Sequence, residues 1–162
     1  MNAYVVDTNV VVVASCRAPQ AGPACVLACI NALEQITQDG LIVLDDQYRI
    51  LTEYTNNLSP SGQPGVGDAF FKWVLRNQAN IERCERVTIH PRGNSGEDYV
   101  EFPSTPSLCK FDPSDRKFVA VAIGSTNDPE VLNAVDPDWW EHRVELKRCG
   151  VRVKFLCQGQ FS

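Results

Sequence analysis

The stretch Ala3-Tyr4-Val5-Val6-Asp7-Thr8-Asn9, near the start of the chain, is the most informative segment for predicting the fold. Its first four residues form an apolar run that is typical of a strand buried inside a sheet. Asp7 ends the run, and the apolar segment 10–14 that follows fits either a continued strand or a helix. A carboxylate between two apolar runs needs partners if it is buried, so Asp7 is the first candidate for a functional residue.

The rest of the chain alternates apolar runs with helical patterns. The spacing of apolar residues and the turn residues between them predict strands at 3–6, 41–44, 131–135 and 151–156, and helices at 24–38, from about 46 to 58, 68–78, from 113 to about 123 and from 137 to about 148. Strands that alternate with helices predict an α/β fold, in which helices cover both faces of a mainly parallel sheet.

Residues 86–108 form the least regular stretch, because prolines and glycines interrupt it repeatedly. Short strands at 87–89 and 99–102 fit the pattern. We interpret 86–108 as an insertion, either a hairpin or a flap, within a single domain. A chain of 162 residues fits one domain and leaves little room for a second.

Charge and hydropathy limit the classes of function. The net charge of −5 argues against a protein that holds nucleic acid by bulk positive charge, but it is compatible with a nuclease whose metal ligands are carboxylates. No secretory signal is visible, and no apolar stretch approaches the roughly 18 residues of a membrane span. We therefore expect a soluble, cytoplasmic protein with no membrane partner.

The chain contains seven cysteines, and their spacing matches no zinc-binding motif. Cys25 and Cys29 are four residues apart on a predicted helix and can share a face. We interpret the cysteines mainly as small buried side chains in a reducing cytosol.

Acidic residues follow the predicted strands or begin the predicted helices. Asp7 and Asp136 each follow an apolar strand, Asp115 lies in the first turn of a helix, and Glu53 lies in the helix after the second strand. In open α/β sheets, ligands bind beyond the carboxyl ends of the strands, so these side chains are expected to converge there. Clustered carboxylates suit Mg²⁺ or Mn²⁺, which can acidify a bound water and neutralise charge on a phosphate.

Structural roles compete with this interpretation. Asp112 and Asp136 each precede proline and suit helix capping, Asp115 favours a helix N-terminus, and Glu53 fits a solvated helix face. Arg116 and Lys117, beside Asp115, are candidates for phosphate binding, although a solvated basic face explains them equally well.

The acidic segments resemble those of PIN-domain nucleases, in particular the small, single-domain toxin type, and they occur in the family's order along nearly the whole chain. The matching segments are Val5-Val6-Asp7-Thr8-Asn9, Ile50-Leu51-Thr52-Glu53-Tyr54, the stretch 112–122, Asn133-Ala134-Val135-Asp136-Pro137-Asp138-Trp139 and Gly150-Val151-Arg152-Val153. The chain departs from compact members in its long stretch 59–108 and in Val135, where Thr or Ser is frequent.

This resemblance implies a Rossmann-like, three-layer αβα sandwich and a divalent-metal site for Mg²⁺ or Mn²⁺. The catalytic and metal-binding residues would be Asp7, Glu53, Asp115 and Asp136, with Asn9, Asp138 and Asp112 assisting. The implied activity is endonucleolytic cleavage of single-stranded RNA, as the toxin of a toxin–antitoxin pair or as a defence nuclease. An antitoxin protein and a homodimer are the implied partners.

Three alternatives remain open from the sequence. One is a catalytically inactive PIN-like domain that binds RNA or protein, and another is a nuclease directed at DNA. The third is a phosphatase of the haloacid dehalogenase type, which also places Asp after the first strand. That family requires a second Asp two residues later, where this chain has Asn9.

Overall fold

A computed structural model describes residues 1–161, and its core is a sheet of five parallel strands. The strands lie in the order β3-β2-β1-β4-β5. Their bounds are β1 Ala3–Val6, β2 Leu41–Asp45, β3 Cys84–Val87, β4 Glu130–Asn133 and β5 Arg152–Phe155. The predicted α/β class with a parallel sheet is confirmed.

Helices connect all the strands. They are α1 Thr8–Ala14, α2 Pro23–Asp39, α3 Arg49–Asn57, α4 Val66–Asn77, α5 Arg116–Gly124, α6 Pro137–Glu141 and α7 Arg143–Arg148, with 3₁₀ turns at Pro106–Leu108, Pro113–Asp115 and Gln158–Phe161. The chain moves one way through β1, β2 and β3 and then crosses back to β4 and β5. Right-handed connections therefore place the two groups of helices on opposite faces, consistent with an α/β sandwich.

The direction of winding reverses between β1 and β4, at the centre of the sheet. Val5, Val43 and Val131 on the three central strands are at most 1% exposed, which explains why these strands are apolar runs. Because the winding direction reverses here, the connection that follows β1 and the one that follows β4 lead away from each other. A crevice therefore opens beyond the carboxyl ends of these two strands. Asp7 and Asp136 both belong to that crevice.

Several element boundaries differ from the sequence prediction. Segment 10–14 is helical, because Asp7 caps α1 by accepting a hydrogen bond from the Asn9 backbone. Strand β4 ends at Asn133, so Asp136 follows a short turn rather than the strand itself. The helix predicted from 137 to 148 breaks at His142 into α6 and α7. Of the strand predicted at 87–89 only Val87 is in a strand, at the end of β3, which is an edge strand of the main sheet.

The irregular stretch after β3 packs back onto the domain. Pro91 and Tyr99 form a single antiparallel bridge, and the strand predicted at 99–102 does not form. Tyr99 is buried, and the Arg49 guanidinium of α3 lies 5.4 Å from the centre of its ring. Asp98 accepts hydrogen bonds from Arg92 and Arg116, so an ion-pair network holds the stretch against the start of α5.

The interpretation of the cysteines as reduced side chains is wrong for one pair. Cys25 of α2 and Cys157, after β5, form a disulfide across a sequence separation of 132 residues. The Sγ of Cys29 lies 4.0 Å from that of Cys157. Sequence spacing does not indicate the pair, because it forms only when the C-terminal turn folds back on α2.

No helix within residues 1–161 combines the length and the hydropathy needed to cross a membrane.

A close approach between α1 and α4 depends on Gly67. A Cβ at this position would lie 2.0 Å from the Val11 carbonyl oxygen and 2.5 Å from the Ser15 Oγ. Contacts this short require one helix to move. Glycine is therefore the residue that allows α4 to pack against α1, the helix that Asp7 caps.

We expect Gly67→Ala to lower the free energy of unfolding by about 2 kcal/mol, because overpacking outweighs the better helix propensity of alanine. Urea unfolding followed by circular dichroism measures the change. Gly159→Ala is the matched control, since a Cβ there meets no atom of residues 1–161 within 4 Å, and the substitution should leave the midpoint nearly unchanged. Equal midpoints for the two variants would contradict the packing argument.

Candidate metal site

Asp7 lies where β1 ends and α1 begins, and it is only 3% exposed. Its Oδ1 accepts a hydrogen bond of 3.1 Å from the Asn9 backbone, and its Oδ2 accepts one of 3.3 Å from the Asn133 side-chain amide. The Asp7 N–H donates to the Leu132 carbonyl oxygen at 3.1 Å. The carboxylate is thus fixed by groups from both α1 and β4.

Asp115 closes the 3₁₀ turn that precedes α5, and it is 7% exposed. Asp112 caps this turn by accepting a hydrogen bond of 3.0 Å from the Ser114 N–H. Pro113 occupies the first position of the turn, where its missing N–H has no cost. The predicted helix therefore begins as a 3₁₀ turn, and this tighter start places Asp115 in the crevice.

Asp136 is the N-cap of α6 and accepts a hydrogen bond of 2.9 Å from the Asp138 N–H. The structural role expected for an Asp before proline is therefore present. Its position also brings it to the other two carboxylates, so capping and clustering coexist at this residue.

Asp7, Asp115 and Asp136 form a cluster in which each offers a carboxylate oxygen within 4.8 Å of the others. The cluster lies in a cleft of about 350 Å³ that Glu53, Asn9 and Asp112 also line. The loop between α1 and α2 contributes Ala18 and Gln20 to its wall. Sequence reasoning thus identified all three members of the cluster.

Burial and mutual repulsion raise the pKa values of these acids. Burial, and then the charges of Asp136 and Glu53, raise the pKa of Asp7 to about 7, against the opposing effect of the Asn9 N–H. Burial, and then the charges of Asp7 and Asp136, raise the pKa of Asp115 to about 9. Burial also raises the pKa of Asp136. Three hard oxygen donors with unfavourable charge fit a divalent cation such as Mg²⁺ or Mn²⁺.

Glu53 lines the same cleft but has protein partners. The Lys117 Nζ donates to its Oε1 at 2.7 Å, and the Thr8 hydroxyl donates to its Oε2. The Lys117 ammonium also lowers the pKa of Asp7, opposing the charges of Asp136 and Glu53. Glu53 is therefore held beside the cluster by an ion pair, and it is absent from the three-carboxylate group that the described residues form.

The assisting residues hold the acids in position. The Asn9 Oδ1 accepts a hydrogen bond of 2.8 Å from the Ala134 N–H, which ties the start of α1 to the turn after β4. The Asp138 Oδ2 accepts one of 2.8 Å from the Asp112 N–H, and its Oδ1 lies 3.3 Å from the His142 Nδ1. Asp138 thus links α6 to the turn that carries Asp115.

Arg116 and Lys117 point in different directions. Lys117 reaches Glu53, whereas Arg116 donates to Asp98 and to the carbonyl oxygens of Cys109 and Phe111. The Arg116 side chain thus braces the stretch after β3, and phosphate binding by Arg116 stays a prediction. Adjacent residues on a helix differ by about 100° in direction, which explains the separation.

Sequence reasoning assigned no site role to Thr8 or Asn133, which contact Glu53 and Asp7 respectively. Thr8 follows the first acid directly, and that adjacency is the only local signal for it. Asn133 is a fully buried polar residue at the end of β4, a position where an amide needs a partner.

Comparison of the chain with protein-family models, with curated proteins and with solved structures gives no match. A functional proposal therefore depends on the site and on the order of its acidic segments.

We expect the metal-free protein to lose stability as pH rises from 5.5 to 8. The unfolded chain releases the Asp7 proton near the ordinary pKa of 3.8, whereas the folded state keeps it until about 7. The folded state therefore binds more protons across this window, and its stability falls with increasing pH. The raised pKa of Asp115 extends the fall toward about 9.

Melting temperatures measured in EDTA check this expectation. Asp7→Asn should flatten the pH dependence, whereas Asp39→Asn, at an exposed position on the last turn of α2, should keep the wild-type slope. An unchanged slope in Asp7→Asn would show that the buried carboxylate does not carry the effect.

Proposed function

We propose that the chain is a divalent-metal-dependent endonuclease of the PIN-like type that cleaves single-stranded RNA. The observation that carries the proposal is the convergence of Asp7, Asp115 and Asp136 from three separate segments at the crevice of a parallel sheet. The order of these acids along the chain also agrees with the family pattern. Toxin activity, an antitoxin and a homodimer are further expectations that rest on the resemblance alone.

The acids of the cluster, the groups that contact Asp7, and Lys117 have different roles in this proposal. Asp7, Asp115 and Asp136 hold Mg²⁺ or Mn²⁺, and the backbone and amide groups that contact Asp7 fix its orientation. When bound, the cation supplies an acidified water and neutralises charge that develops on the phosphate. Lys117 is the cation that the chain itself provides, and it lies against Glu53 at the side of the cluster.

The charge of the cleft makes the cation necessary for substrate binding as well. A phosphodiester is an anion, and five carboxylates line the cleft, of which the Lys117 ammonium pairs with that of Glu53. Repulsion would keep the phosphate away from the acids until a divalent ion offsets them. This requirement distinguishes the site from one that binds RNA through surface basic residues.

We expect the purified protein to cleave labelled single-stranded RNA with Mn²⁺ or Mg²⁺ and to be inactive in EDTA. Asp7→Asn, Asp115→Asn and Asp136→Asn should each lower the rate about 100-fold or more, because each removes a charged ligand. Asp39→Asn is the matched control and should retain full activity. Single-stranded DNA in parallel reactions determines which nucleic acid is the substrate.

Calorimetric titration with Mn²⁺ separates the nuclease from an inactive binding domain. Metal binding without cleavage of RNA or DNA would favour the inactive domain, and the absence of both would refute the metal site. Preferred cleavage of DNA would keep the reaction class and change the substrate.

We expect Glu53→Gln to weaken Mn²⁺ binding less than Asp7→Asn does, because Glu53 is already paired with Lys117 and Thr8. Titration calorimetry compares the two dissociation constants. Lys117→Met provides the complementary test, since it leaves Glu53 free to contribute charge and should strengthen Mn²⁺ binding. Equal losses in Glu53→Gln and Asp7→Asn would instead make Glu53 a direct ligand.

A further inference from the structure

The C-terminal part of this acidic chain is basic. From His142 to the end it has five basic residues and one acid, Glu145, although the whole chain carries a net charge of −5. The basic residues lie on α7 and β5, which pack against one another. Positive charge is therefore concentrated at one end of the sheet.

A groove of about 420 Å³ lies between α7 and β5. Arg143, Lys147 and Arg152 line it together with apolar side chains, and within residues 1–161 no carboxylate lines it, although Arg152 also lies 3.4 Å from Asp128. The apolar members include Val144, which is 57% exposed, as well as Val153 and Phe155. A groove with an apolar floor and only positive charge suits a ligand that is both acidic and apolar.

Strand β5 is an open edge of the sheet. It pairs only with β4, and the part of the chain that the structure describes provides no strand on its outer side. The Leu156 N–H donates to the Asn133 carbonyl oxygen at 2.9 Å, so the alternation of a strand turns the N–H and C=O groups of Val153 and Phe155 outward. An added strand can satisfy these groups.

We propose that the groove and the β5 edge bind an extended acidic peptide segment of a partner protein, which adds to the sheet as a sixth strand. Its acidic side chains would contact the basic residues of the groove, and its intervening apolar side chains would pack on Val144, Val153 and Phe155. This surface shares no lining residue with the acidic cleft, so the proposal does not depend on nuclease activity.

A second copy of the chain fits this edge poorly. Two β5 strands paired about a two-fold axis would bring Arg152 and Lys154 of one copy near the same residues of the other. Like charges across paired strands destabilise the pairing.

Nucleic acid fits poorly because the aromatic surface nearby is occupied. The Trp140 ring stacks on Phe161 with 4.8 Å between centroids, and the Arg143 guanidinium lies 4.0 Å from its centre, so the ring already has two stacking partners. A base that stacked there would have to displace one of them. The alternating donors and acceptors of the β5 edge match a polypeptide backbone.

Fluorescence anisotropy with a labelled, end-capped peptide of alternating Glu and Val tests the proposal. A peptide with the same composition in two blocks and one with Lys in place of Glu are the controls. We expect the alternating acidic peptide to bind most tightly. Amide hydrogen exchange should show that the peptide protects the Val153 and Phe155 N–H groups, a readout that needs no variant.

Two variants separate the charge from the backbone contact. Lys147→Glu should weaken binding about tenfold, whereas Lys110→Glu, a matched reversal at an exposed position outside the groove, should leave it unchanged. Val153→Pro removes an N–H that points away from β4 toward the peptide, and it keeps the hydrogen bonds between β5 and β4. This variant should weaken peptide binding about fivefold. Melting temperatures confirm that each variant is folded.

Three results would overturn the proposal. The first is that the acidic and basic peptides bind equally well, or that neither of them binds. The second is tighter binding of single-stranded RNA by the Asp7→Asn protein, weakened by Lys147→Glu but not by Val153→Pro. The third is self-association in solution that Val153→Pro abolishes, which would assign the edge to a second copy.

Discussion

The burial of the Asp7 carboxylate between β1 and α1 is the constraint on which the site depends. A carboxylate that is 3% exposed must be solvated by protein groups, and the Asn9 N–H and the Asn133 amide do this only in part. The pKa of Asp7 is raised because this solvation by protein groups is incomplete. A divalent cation would lower this pKa, because it favours the ionised form of every acid in the cluster.

The reversal of winding direction between β1 and β4 determines which groups lie near Asp7. Because β1 and β4 are neighbours, groups at their carboxyl ends can hydrogen-bond across the crevice: the Asn133 amide donates to Asp7, and the Ala134 N–H donates to Asn9. The turn that carries Asp115 is not part of the sheet, and the hydrogen bond from Asp112 to Asp138 fixes it to α6. The three acids are thus held by contacts between segments that are distant in sequence.

Short sequence patterns predicted the elements that depend on residues close together in the chain. The apolar runs of β1, β2 and β4 and the acids beside them were visible because a buried strand and a capping residue each leave a short pattern. Strand β3 was missed as part of the sheet, because Glu85 and Arg86 interrupt its apolar pattern at an edge. The Cys25–Cys157 disulfide and the partners of Arg116 and Lys117 depend on tertiary contacts, and no spacing rule predicts them.

The distribution of charge links the stability of the site to its proposed use. The cleft concentrates carboxylates, and Lys117 opposes them from beside it through its ion pair with Glu53, so the folded state carries repulsion that the unfolded chain relieves. A cation that binds the folded state therefore stabilises the fold. The same contacts between the cation and the carboxylates make the cleft accessible to a phosphate. The repulsion is the physical reason for both effects, and removing it by neutral substitution would stabilise the metal-free fold while abolishing the basis for metal binding.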